Sequence, residues 1–166
     1  MCYRVGIGVL LAAALVVVFF YPQGLALEIV NANTGQVVLC ADMAEGEEFV
    51  LSFVHSVNKR PVYDTLRVAR DHLVIVKSRF DAFGAGMPET STEQGSFRVA
   101  ADGWLEWTIN RPLPEVIVRV GRVANHTLHL KSRETRLAAL AEPGTPLALR
   151  VQNRSIYAVW KGRCVR

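Results

Sequence analysis

The stretch FVLSFVHSVNKRPVYDTLRV, residues 49–68, decides the fold. Its first part alternates: Phe49, Leu51, Phe53 and His55 fall on one face of an extended chain, and Val50, Ser52, Val54 and Ser56 on the other. The second part repeats the pattern, with Val62, Asp64, Leu66 and Val68 on one face and Tyr63, Thr65 and Arg67 on the other. Asn58-Lys59-Arg60-Pro61 between them carries turn chemistry. The pattern predicts two antiparallel strands whose apolar faces share a core. A loop over 58–61 sets residue 57 opposite 62, and therefore His55 opposite Asp64 with Cβ atoms about 4.5–5.5 Å apart. An inward carboxylate needs a partner, because desolvating it alone is costly. The expectation is thus a facing His55–Asp64 pair at one end of the core. It either closes the core or meets a ligand, and the sequence leaves both readings open.

Outward from this hairpin the chain reads as β structure. Strands are expected near 27–31, 36–42, 48–56, 62–69, 72–80, 96–100, 103–109, 115–121, 126–131, 146–152 and 155–160, with tight turns at Asn33-Thr34-Gly35, Arg70-Asp71 and Ala101-Asp102-Gly103. Residues 134–141 suggest a helical turn, stopped by Pro143-Gly144. Such spacing predicts an all-β architecture, an antiparallel β-sandwich or barrel, in a single domain. The longest stretch without periodicity, 81–95, contains Phe83-Gly84-Ala85-Gly86-Met87-Pro88. Loops of that length in a compact domain are uncommon and tend to be functional or disordered. Its glycines permit close backbone approach, and Phe83 and Met87 either plug the sandwich or form a lid or docking loop.

The N-terminus differs in kind. Arg4 precedes an unbroken apolar run from Val5 to Tyr21, ended by Pro22. The run lies between the usual lengths of a signal peptide and a spanning helix. Gly24-Leu25-Ala26 resembles a cleavage site, so residues 1–26 read as a signal peptide or an N-terminal membrane anchor, and 27–166 as an exported β domain. The net charge of +4 is mild, and Arg150, Arg154, Lys161, Arg163 and Arg166 crowd the C-terminus as a solvated tail or a contact for anionic lipid. No basic stripe interleaved with aromatics points to nucleic acid. An oxidising compartment permits Cys40 and Cys164, the two thiols of the exported part, to form a disulfide; Cys2 follows no lipobox.

Known chemistries find little footing. Ser56 lies on the strand face opposite His55, and no Gly-x-Ser-x-Gly elbow is present, which argues against a Ser–His–Asp hydrolase. His126 and His129, three apart, would sit on opposite faces of a strand, and no metal-binding spacing or cofactor-binding motif occurs.

The ordered segments Phe53-Val54-His55-Ser56-Val57, Pro61-Val62 with Asp64, and Phe80 with Phe83-Gly84-Ala85-Gly86-Met87-Pro88 resemble the family catalogued as domain of unknown function 1850. Val118-Arg119-Val120-Gly121 and His126 with Leu128 extend the likeness over roughly residues 27–152. Members often carry glutamate where Asp64 stands. The resemblance implies a context: genes beside the fused permease and the solute-binding protein of TAXI-type TRAP transporters, ion-driven importers of small solutes. The expectation is a periplasmic, membrane-associated accessory protein of such an uptake system. Its partners would be the permease or the solute-binding protein, and the inner membrane through the N-terminal segment. His55, Ser56, Asp64, Phe83, Gly84, Gly86 and Pro88 are the candidate ligand or partner contacts. The alternatives are a ligand-binding or chaperone-like module unrelated to transport, and a small enzyme using a His–Asp dyad.

Overall fold

The computed structural model describes Gly8 and residues 13–157. The chain is helical over 13–20 and then enters β structure: β1 (Gly24–Asn31), β2 (Val37–Met43), β3 (Glu48–Val54), β4 (Pro61–Val68), β5 (Leu73–Phe80), β6 (Ser96–Val99), β7 (Leu105–Leu113), β8 (Val116–Arg119), β9 (Thr127–Leu130), β10 (Arg133–Arg136) and β11 (Pro146–Arg154). A four-stranded sheet, β2-β1-β11-β8, faces a seven-stranded sheet, β10-β9-β3-β4-β5-β7-β6. Every pairing is antiparallel and neither sheet closes, so the architecture is the expected sandwich rather than a barrel.

The alternation read from the sequence builds the core. Leu27 and Ile29 of β1, and Leu147 and Leu149 of β11, meet Phe49 and Leu51 of β3, Leu66 and Val68 of β4 and Leu128 of β9. A second, smaller cluster, made by Val62, Phe80, Leu105 and Trp107, gathers Phe53, Met87, Phe97 and Ile109 around it. It includes Met87 of the 81–95 loop, so that part of the loop plugs the sandwich.

Two expectations of secondary structure need correction. The helical turn at 134–141 is instead β10 followed by one 3-10 turn, Leu137–Ala139; Leu137 is buried and turns inward at the strand's end. The strand expected at 155–160 is not formed at 156–157, which are helical, and 158–160 lie outside the described residues. Among the described residues no helix is long and apolar enough to cross a membrane. Residues 1–7 and 9–12 of the apolar run, with Cys2, lie outside the described residues, as do Lys161, Arg163, Cys164 and Arg166. Cys40 is disulfide-bonded; the pairing expected with Cys164 falls on a residue outside those described.

β1 begins at Gly24, three residues before the expected domain boundary. Leu25 pairs with Met43 and Asn153, and Ala26 with Asp42 and Gln152, while Ala26 is 1% exposed. Cleavage after Ala26 would strip both ladders of these pairs. A chain starting at Leu27 is therefore expected to lose about 1–3 kcal/mol relative to one starting at Gln23. Urea unfolding checks this; equal midpoints would show that the first turn of β1 contributes nothing.

Candidate functional site

The β3–β4 hairpin forms, with its faces as expected, but its turn lies two residues earlier. Leu51 pairs with Asp64, Phe53 with Val62 and Val54 with Pro61. The His55 N–H then donates to the Arg60 carbonyl at 2.9 Å, and the Lys59 N–H to the His55 carbonyl at 3.1 Å. The reason is local. Proline lacks a donor and suits the first residue of a strand, so Pro61 opens β4 rather than ending the loop. Side chains then build the turn: His55 Nδ1 accepts the Val57 N–H at 3.3 Å, Asn58 Oδ1 accepts the Arg60 N–H at 3.1 Å, and Lys59 takes a left-handed φ of 58°. The expected facing His55–Asp64 pair is therefore not made. Four residues of strand separate His55 from the partner of Asp64, about 13 Å along the sheet. The shift is even, so both side chains keep the same face.

Asp64 meets Ser78 instead. Across β4, β5 and β7 the register aligns Asp64, Ser78 and Trp107 in one row, and Val62, Phe80 and Leu105 in the next. Leu73 and Ile75 of β5 pack in the main core, whereas Ser78 and Phe80 face the second cluster. The change of parity comes from a bulge: Thr65 pairs with Lys77 but Leu66 with Ile75, leaving Val76 as the extra residue. The Ser78 hydroxyl donates to Asp64 Oδ1 at 2.5 Å.

Asp64, Ser78 and Trp107 of the first row and Val62 and Phe80 of the second line an open cleft of about 580 Å³, within the range of small-ligand sites. His55 and Ser56 line it at the turn, and Gly86, Met87 and Pro88 line it from the loop. Phe83 and Gly84 are not on the wall. Phe83, 49% exposed, sets its ring against Phe80 and Phe97 at centroid distances of 6.5 and 5.9 Å. Gly84 abuts the turn so closely that a Cβ there would lie 2.6 Å from Asn58 Nδ2, which donates to the Phe83 carbonyl at 3.1 Å. Arg60 adds a two-point ion pair to Asp81, with Nε donating to Oδ1 at 3.0 Å. Turn and loop are thus laced together: His55, Ser56, Asp64, Gly86 and Pro88 share the cleft wall, while Phe83 and Gly84 lie outside it.

His126, weighed in the sequence only for metal spacing and family likeness, is also a wall residue. It precedes β9, its ring lies 5.7 Å from that of Phe53, and its buried Nδ1 has no hydrogen-bond partner. The Val54 N–H donates to the Ala124 carbonyl at 2.7 Å, and this pins the 121–126 segment to the end of β3. His129, by contrast, bonds Ser52 and Glu134. Among the described residues no cluster of His, Cys, Asp and Glu suits a metal.

Two wall groups carry shifted pKa values of opposite sense in charge. Burial pushes the Asp64 carboxyl above its ordinary range, and the Ser78 hydrogen bond opposes this only in part. Burial holds His126 below the usual imidazole value. Native Asp64 therefore keeps its proton to higher pH than unfolded Asp64, and its contribution to stability falls as pH rises above about 3.9. Asp64→Asn removes that loss and is expected to raise the unfolding temperature near neutral pH, with the gain vanishing in acid. A variant less stable than wild type near neutrality would contradict this.

No curated protein and no solved structure matches the chain. The family model described as "Domain of unknown function (DUF1850)" matches residues 49–137, more than half of the chain. The match contains nearly all of the seven-stranded sheet and every residue of the cleft wall. The chain therefore belongs to the DUF1850 family.

Proposed function

We propose that this chain is an exported, membrane-associated accessory protein of a TAXI-type TRAP uptake system. It works as a binding and interaction module through the cleft between the 55–60 turn and the 84–88 loop. One observation carries the reading: His55 and Asp64 open onto a cleft beside Gly86-Met87-Pro88 rather than lying sealed in the core. A carboxyl group without a cationic partner, in a site with apolar walls, suits recognition better than packing.

Two features support membrane attachment by a retained leader. Leu15, Val16, Val17, Val18 and Phe20 are each more than half exposed, an apolar surface that lipid would cover. The first residues of β1 are also integral to the sandwich, which favours an uncut chain. The transporter partner rests on the family resemblance. The dyad enzyme loses support, because Asp64 bonds Ser78 and stands two rows from His55.

Affinity purification of the full chain from membranes, with the flanking permease co-expressed, tests the reading. The permease is expected in the eluate. Phe83→Asp, at the exposed rim of the loop, is expected to lower its recovery about tenfold, as loss of an aromatic anchor does at interfaces. Enrichment of an unrelated envelope protein without permease would favour the module unrelated to transport and overturn the transporter role.

A further inference from the structure

The cleft wall selects a class of ligand. Its polar side chains are one acid, two imidazoles, two hydroxyls and the indole of Trp107, and no lysine or arginine lines it. Arg60, at the turn, is committed to Asp81, and Arg79, next to Phe80, is committed to Asp102 and Glu106. Among the described residues Asp64 has no ion pair, and its one side-chain hydrogen bond comes from Ser78. Ser78 uses its O–H on that bond, so toward the cleft it offers lone pairs alone. His126, kept neutral by burial, brings no positive charge. The remaining wall is aromatic and aliphatic, with Phe53, Val62, Phe80, Trp107 and Ile109.

An anion entering this space meets a carboxyl group and neither lysine nor arginine. A purely apolar molecule fills the space but leaves Asp64 with the Ser78 hydroxyl alone and its remaining acceptor sites unmet. An ammonium on an apolar stem answers both halves of the wall. Its N–H donors reach the carboxylate, and the ring faces attract its charge. We propose that the cleft binds a small organic cation, a protonated amine carried on an apolar body, with Asp64 as its counter-ion. The inference rests on the reading of the cleft as the working part of the protein. An ammonium beside Asp64 also favours the ionised carboxylate, so binding relieves the mismatch between burial and charge.

Calorimetric titration of the full chain in detergent, near neutral pH, with phenethylamine, phenethyl alcohol and hydrocinnamate tests this. The three probes share a body and differ in charge. Phenethylamine is expected to bind about tenfold more tightly than the alcohol, and hydrocinnamate more weakly than either. In Asp64→Asn the amine is expected to lose its advantage while the alcohol binds as before. Hydrocinnamate binding as tightly as the amine, or an amine preference that survives in Asp64→Asn, would overturn the assignment of charge. Binding of the alcohol with no preference for the amine would do the same, while leaving the cleft as a ligand site. No binding of any probe would also overturn it, and the permease co-purification then judges the wider reading separately.

Discussion

Asp64 stands opposite Leu51, and the arrangement of the cleft follows from that pairing. It fixes which row of the sheet carries the carboxylate, and hence that Ser78 and Trp107 lie beside it. A slip of one residue would turn Asp64 to the outer face and Tyr63 inward. The register is held from both ends. Apolar side chains at Phe49, Leu66 and Val68 are buried in the main core, and the turn is clamped by its own side chains and by the 81–95 loop.

Asp64 differs from the buried acids Glu106 and Glu28. Glu106 is 5% exposed and is surrounded by Lys77, Arg79 and Arg98; Glu28 is 6% exposed and takes two hydrogen bonds from Arg150. Each of these has the cationic partner that a buried carboxylate requires. Asp64 has a single hydroxyl. Its environment favours the neutral form and its position faces open space, a combination that raises the energy of the empty site and leaves room for a partner to lower it.

The sandwich was legible because period-two alternation survives in most strands, and the hairpin faces followed from it. What alternation cannot express is a bulge. Val76 shifts the parity of β5, so Ser78 reads as outward beside Leu73 and Ile75 although it faces the cleft. The position of the turn depended on Pro61, whose missing donor makes it a strand opener as readily as a loop residue. His126 was hidden for another reason. Its role comes from the crossing of the 121–126 segment over β3, a long-range contact with no local signature. The one available signal was its place beside Leu128 among the residues that carry the family likeness.

The pairing of β3 with β4 can be read directly from cross-strand proton contacts by NMR. The account predicts backbone contacts between Leu51 and Asp64, and between Asp64 and Ser78, with none between His55 and Asp64. A direct His55–Asp64 contact, or pairing of residue 57 with 62, would place the acid in another row and contradict the cleft described above.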